Sequence, residues 1–154
     1  MAGTFSQIYV QIVFSTKYRQ PFIQSEWKHA LFEYMSGIVR AKGQKSININ
    51  GVEDHVHVFV GLKPGMCISD LVRDVKNNSS KWVNDMGHVP GGFAWQGGYS
   101  VFSYHQSMVR TVYEYIENQE EHHKKQTFKE ELTDLLEEFK VAYNPAWVFD
   151  EPKN

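Results

Sequence analysis

Apolar and polar residues begin to alternate within the first ten positions of the chain. In residues 5–15 (FSQIYVQIVFS), Ile8, Val10, Ile12 and Phe14 fall on one side at period two and Gln7, Tyr9 and Gln11 on the other, which predicts a half-buried strand. The rhythm then changes to steps of three and four. Trp27, Ala30, Leu31, Tyr34, Met35 and Ile38 form one apolar stripe that stops before Gly43, with Ser25 placed to cap a first helix. Ile47 and Ile49 alternate with Asn48 and Asn50, residues 51–54 read as a turn, and Val56, Val58, Val60 and Leu62 share a face of the following strand. A second helix is expected from the stripe Ile68, Leu71, Val72, Val75, Ser79, Trp82, Val83 and Met86, closed by Gly87.

The glycine-rich passage GHVPGGFAWQGGYS interrupts this periodicity and reads as a loop carrying Phe93 and Trp95, after which residues 99–104 resume a strand pattern. A third helix is expected from about Ser107 to Gln119. Thr127 and Glu130 have capping-box spacing for a fourth, an amphipathic helix over about 127–143. Phe128, Leu132, Leu135, Leu136, Phe139 and Tyr143 mark its apolar face, with acidic residues assigned to the outside. The order strand, helix, strand, strand, helix, strand, then two helices is that of an α+β, ferredoxin-like split βαβ sandwich with additional C-terminal helices. A single domain over 1–154 is expected, its core in 4–123, with an antiparallel sheet covered on one face by the first two helices. The other sheet face is expected to be free for function or for a second subunit.

Composition narrows the class. Of 154 residues, 42% are apolar and 14% aromatic, enough for one core and against disorder. No window approaches 18 consecutive apolar residues and the opening residues enter a strand pattern at once, so neither a membrane span nor a secretory signal is expected. Cys67 is the single cysteine, which excludes an intramolecular disulfide and a cysteine-built zinc site and fits a cytoplasmic location. The net charge of -2 hides an asymmetry: residues 1–113 hold 11 Lys/Arg against 7 Asp/Glu, whereas residues 114–154 hold 5 against 11. A basic body with an acidic C-terminal segment permits a phosphate-binding face.

Chemistry concentrates in two places. His55 and His57 are two apart on a strand, so both leave the sheet on the face opposite the core valines and can converge on one metal. Surface polarity accounts for the pair about equally well on pattern alone. On the third helix, Val109, Val112, Tyr113 and Ile116 form an apolar stripe, which assigns Tyr113 to the core and places Tyr115 about 120° from it. Tyr115 and Gln119 are then an i, i+4 pair about 6 Å apart, on a side where one metal-bound phosphate could touch both. Taken alone, such a tyrosine is more often an ordinary surface residue. His122 and His123 lie in an acidic stretch and read as surface residues, with extra ligands or general acids as the other possibility.

Five segments in order, QIYVQIVFSTKYRQPFI, GVEDHVHVFVGL, KNNSSKWVN, FAWQGGYSVFSY and EYIENQEEHH, resemble the single-tyrosine HUH transposases of small insertion sequences (the IS200-like superfamily) and their REP-associated tyrosine transposase relatives. The resemblance implies that His55 and His57 bind a divalent metal, that Tyr115 is the nucleophile and that Gln119 is the third ligand. It implies cleavage and rejoining of single-stranded DNA at hairpin-bearing ends through a 5′-phosphotyrosine link. Mg²⁺ is the expected ion, with Mn²⁺ able to substitute. It further implies a homodimer, with the tyrosine working in cis or in trans, and hairpin recognition by basic residues. Lys17, Arg19, Arg73, Lys76 and Lys81 are the DNA-contact candidates, with Arg40, Lys42 and Lys45 beside them.

Three other readings compete. A non-cutting hairpin-DNA-binding relative would have no use for the intact set His55, His57, Tyr115 and Gln119. A water-using metallohydrolase lacks its motifs: Phe59 and Val60 follow His57 where an H-x-H-x-D-H run needs further ligands, and paired H-x-T/S motifs are missing. A purely structural module would leave both polar constellations without a purpose.

Overall fold

The computed structural model describes residues 3–149. The expected domain limits 1 and 154, and Asp150, Glu151 and Lys153 in the charge count of residues 114–154, therefore lie outside the described residues. Four strands, β1 (Tyr9–Ser15), β2 (Lys45–Val52), β3 (His55–Gly61) and β4 (Ser100–Tyr104), form one sheet in the order β2-β3-β1-β4. Every neighbouring pair is antiparallel. Helix α1 (Ser25–Ala41) links β1 to β2 across the intervening β3, and α2 (Ile68–Asp85) links β3 to β4. This is the expected split βαβ arrangement. The chain continues into α3 (Val109–Glu117), α4 (Gln119–His122), α5 (Phe128–Glu138) and α6 (Pro145–Val148). No helix among the described residues is long and apolar enough to cross a membrane.

Period-two patterning decides which side chains meet which layer. Val10, Ile12 and Phe14 of β1 and Val56, Val58 and Val60 of β3 enter one core with Leu31, Met35 and Val39 of α1 and Leu71, Val72 and Val75 of α2. Ser25 is the first helical residue of α1 rather than its cap; the cap position is Gln24, whose side chain makes no cap bond. The β2–β3 turn is tighter than the expected 51–54, because pairing continues to Val52 opposite His55. Gly51 makes this closure possible: a Cβ there would lie 2.2 Å from the carbonyl oxygen of His55.

The other face of the sheet is not free. Its outward residues include Val13, Phe59 and Phe102, which are themselves apolar and buried, so water cannot be their partner. Helix α3 covers Phe59 with Val112 and Ile116. Helix α5 covers Val13 and Phe102 with Phe128, Leu132, Leu135 and Leu136, joined by Phe149. The sheet is thus a middle layer between two helical layers of one chain.

The glycine-rich loop is held by side chains of α2. Asn84 accepts from the Phe93 amide at 2.7 Å and donates to its carbonyl at 3.1 Å. Trp95 donates its indole N–H to Ser79 at 2.9 Å and meets Phe14 edge to face, with ring centroids 4.9 Å apart. Lys76 donates to the carbonyls of Gln96, at 2.8 Å, and Gly98.

Candidate active site

Strand β3 carries His55 and His57 out of the sheet on the face opposite its valines, as the alternation requires. The rings lie edge to face, 5.2 Å between centroids. Each ring is oriented through Nδ1, leaving both Nε2 atoms to face the same point. His55 Nδ1 lies 2.7 Å from the carboxylate of Asp54, and His57 Nδ1 lies 2.8 Å from the side-chain amide of Gln11 on β1. Gln11 in turn accepts from the hydroxyl of Tyr104 at 2.7 Å.

Helix α3 is fixed over these rings from β2. Asn50 donates to the carbonyls of Ile116 (2.9 Å) and Glu117 (3.1 Å), and Asn48 donates to that of Tyr113 (3.2 Å), satisfying acceptors at the helix C-terminus. The expected single helix to Gln119 breaks at Asn118, and α4 begins with Gln119 pointing inward. The ion pair between Lys28 of α1 and Glu120 ties α4 down. The two tyrosines exchange the places assigned by the helical wheel. Tyr113 is 41% exposed, whereas Tyr115 is half-buried with its ring 6.0 Å from that of His57. The packed face of α3 is Val112, Tyr115 and Ile116, continued by Gln119 at the start of α4, so two of these four positions are polar site residues that an apolar stripe cannot reveal.

The largest departure from expectation is Glu131. Its sequence neighbours place it on the acidic outside of the fourth helix, yet it is 1% exposed, beside His55, His57 and Gln119 at 0%. One carboxylate oxygen, Oε1, lies 3.0 Å from His57 Nε2, 3.2 Å from His55 Nε2 and 3.1 Å from His123 Nε2. The other, Oε2, accepts from the Tyr115 hydroxyl and, at 3.0 Å, from the Gln119 amide. Gln119 Oε1 closes the ring of contacts at 3.0 Å from His55 Nε2. Glu131 was detectable: it falls between Phe128, Leu132 and Leu135 at i, i+3, i+4 spacing, a charge within an apolar stripe. His123, read as a surface residue, is drawn in with it, its ring 4.4 Å from that of His55. His122 stacks on Tyr115 at 4.6 Å.

The electrostatics follow from this packing. Burial alone would keep His55 neutral, but Asp54 and Glu131 outweigh it and raise its pKa from 6.5 to about 9. Burial holds His57 below the ordinary histidine value. A neutral His57 accepting at Nδ1 from Gln11 and donating from Nε2 to Glu131 matches that direction. Burial opposes the charge on Glu131, but the surrounding His57, His123 and His55 hold its carboxyl far below the usual carboxylate range. Burial, the Glu131 charge and the hydrogen bond to Glu131 push the Tyr115 hydroxyl well above the tyrosine range. Burial also raises Tyr104, to about 12.

The donor set suits a divalent cation. His55, His57 and Glu131 offer ligand atoms within 4.8 Å of one another, and two imidazole nitrogens with a carboxylate oxygen bind first-row divalent ions and Mg²⁺. Gln119 stands beside them, so the expected trio is brought together and joined by a carboxylate. The basic candidates are scattered. Lys17 and Arg19 lie in the short turn after β1, with Lys17 over the Tyr18 ring and Arg19 over Phe149. Arg73 pairs with Asp70 and Asp74, Lys42 with Asp74, and Lys81 with Asp85. Arg40 donates to Ser36, and Lys45 opens β2 on the surface. Lys76 is built into the loop anchorage, where burial lowers its pKa to about 8.

Known proteins share both the sequence and the architecture. ISDra2 transposase TnpA of Deinococcus radiodurans is 23% identical over 122 residues, 76% of this chain and 87% of that protein. A crystal structure of a D. radiodurans R1 protein assigned as a transposase superposes with a TM-score of 0.62 at 25% identity, covering 77% of this chain and 95% of that one. A REP-associated tyrosine transposase bound to a REP hairpin has a TM-score of 0.59 at 14% identity and covers 100% of this chain and 93% of its own, so the shared fold extends over the C-terminal helices. Residues 4–119 match the family model for IS200-like transposases, and the chain belongs to that family.

Proposed function

We propose that this transposase cleaves and rejoins single-stranded DNA at hairpin-bearing ends, with Tyr115 as nucleophile. The observation that carries the reading is the meeting of half-buried Tyr115 with the buried His55, His57 and Gln119 in one cluster built from three separate elements. His55, His57 and Gln119 would hold a divalent ion, Mg²⁺ or Mn²⁺, with Glu131 as an alternative donor. Bound there, the ion would supply polarisation of the scissile phosphate and stabilisation of the charge that develops on it.

The chain's own residues do the rest. Asp54 and Gln11 fix the two imidazoles, so their Nε2 atoms need no reorganisation. Tyr115 is carried on a helix pinned by Asn48 and Asn50, which fixes its distance from the histidine strand. Its oxygen forms the bond to phosphorus as the bond to the 3′ oxygen breaks, and the phenolic proton is balanced by the one the departing 3′ oxygen takes up. The products are a 5′-phosphotyrosine and a free 3′-OH, which keep the bond energy for rejoining. In the DNA-free protein burial and Glu131 keep the hydroxyl protonated and the tyrosine quiet.

Since Tyr115 lies beside the histidines of its own chain, the reading is catalysis in cis, whether or not two copies pair as a homodimer. DNA contacts fall to Lys17, Arg19, Arg73, Lys76 and Lys81, and the working compartment is the cytoplasm. The test is Tyr115→Phe on single-stranded DNA from the sequence flanking the chain's own coding region. It should keep hairpin binding and lose strand cleavage. Cleavage that survives the substitution excludes Tyr115, and binding without cleavage by the unsubstituted protein makes it a non-cutting binder.

A further inference from the structure

The two imidazoles of the histidine strand are held from behind by groups of opposite kind. Asp54 offers an acceptor to Nδ1 of His55, so the proton stays on Nδ1 and Nε2 carries the lone pair whenever that ring is neutral. His57 is arranged the other way. Its Nδ1 lies 2.8 Å from the amide nitrogen of Gln11, a group that only donates, so Nδ1 holds the lone pair and the proton of the neutral ring sits on Nε2. In that tautomer Nε2 has nothing to give to a cation. Gln11 is set in this orientation from its other end, because the Tyr104 hydroxyl donates to Oε1 at 2.7 Å. The amide is 1% exposed and its residue stands opposite Phe59 on β3 and Phe102 on β4, an apolar setting in which it depends on His57 and Tyr104 for partners.

We infer that Gln11 and Tyr104 form a switch that sets the tautomer of His57, and that the Gln11 amide must turn over before His57 can take a divalent ion. With Oε1 toward the ring, Gln11 accepts from Nδ1–H and its amide nitrogen donates to the Tyr104 oxygen. Tyr104 then changes from donor to acceptor at Gln11 and directs its own hydrogen into the adjoining hollow of about 310 Å³, where Asp134 and Glu138 supply acceptors. One proton leaves Nε2 and one arrives at Nδ1, so the ring keeps both its charge and its place. Each of the three side chains is partnered in either state, and the exchange needs no movement of the strands. Burial and the charge of Glu138 raise the Tyr104 pKa to about 12, so the hydroxyl keeps a hydrogen to redirect. Gln11 and Tyr104 are positioning residues that act through His57. A glutamine suits this place because its two ends serve both tautomers, which a fixed carboxylate cannot do. The inference rests on the metal-dependent reading proposed above, but the tautomer can be read without DNA.

The test is NMR of the ¹⁵N-labelled histidine rings, whose couplings to the carbon-bound ring protons distinguish Nδ1–H from Nε2–H. In the metal-free protein His57 should carry its proton on Nε2. Adding Zn²⁺, a diamagnetic probe, should move the proton to Nδ1 and shift the side-chain amide signals of Gln11. Gln11→Glu supplies a permanent acceptor and should show Nδ1–H at His57 without any metal. Gln11→Met removes donor and acceptor alike; it should leave the tautomer unfixed and bind Mn²⁺, followed by its EPR signal, at least tenfold more weakly than the unsubstituted protein. The measurements on the unsubstituted protein decide the matter if a Gln11 variant fails to fold. A His57 with Nδ1–H before metal is added, a tautomer that stays the same once Zn²⁺ is bound, or a Gln11→Met that binds Mn²⁺ as tightly overturns the inference. Binding of neither ion defeats the metal reading, and the inference with it. The expected tautomer change with no tyrosine adduct on DNA keeps the switch and defeats the strand-cleavage reading instead.

Discussion

The contact between Asp54 and His55 gives a quantity that can be measured in the metal-free protein. Asp54 lies 2.7 Å from Nδ1 of a wholly buried ring and is, with Glu131, the reason that His55 titrates at about 9 rather than 6.5. A histidine whose folded pKa is raised stabilises the fold fully below its unfolded pKa, and the contribution is lost as pH rises through the folded value. The window is therefore pH 6.5 to about 9. The displacement corresponds to about 3 kcal/mol at about 1.4 kcal/mol per unit. Asp54→Asn removes the charge but leaves the backbone carbonyl that receives the Thr16 amide. The His55 midpoint, followed by NMR of the ring protons, should fall by at least about one unit, and stability at pH 7 should drop by about 1–2 kcal/mol. Urea melts should show the loss at pH 7 and a flatter decline toward pH 9 than in the unsubstituted protein. A midpoint that stays near 9, or equal stability at pH 7, would refute this account of how the ring is held.

Three further perturbations probe the supports of the site. Asn50→Ala strips two carbonyls at the end of α3 of their donor; it should cost about 1–2 kcal/mol in chemical denaturation and broaden the NMR signals of Tyr115. Ser79→Ala leaves the buried Trp95 N–H without an acceptor, for a loss of about 1–3 kcal/mol and a change in tryptophan fluorescence. Thr127→Ala breaks the capping box of α5; it should cost about 1 kcal/mol, with exchange over 128–138 rising first.

Strands and helices were legible because each carries its period in apolar residues, and the histidine pair was legible because alternation leaves His55 and His57 no other face. The family resemblance pointed to Tyr115, which the structure brings beside His57, but the helical wheel placed it away from the packed face. That error has a physical source: where a helix packs over a polar site, Tyr115 and Gln119 belong to the buried side and Tyr113 to the solvent side. Glu131 escaped for a related reason, since an acidic residue among Glu130, Glu137 and Glu138 reads as solvated until its register with Phe128 and Leu135 is counted. The covered outer face was written in Val13, Phe59 and Phe102, three apolar residues on a side assumed to be free. Gln11 sits among polar strand residues and shows its purpose only once β1 and β3 pair and bring it to His57.

The most direct test of the central claim is to incubate the protein with single-stranded DNA from its own flanking sequence and Mg²⁺ or Mn²⁺, resolve the products under denaturing conditions, and map any modified peptide by mass spectrometry. The account predicts a covalent adduct at Tyr115, formed only with metal and only on single strands, and lost in Tyr115→Phe and His57→Ala. An adduct at another residue, or cleavage that leaves no adduct, would contradict it.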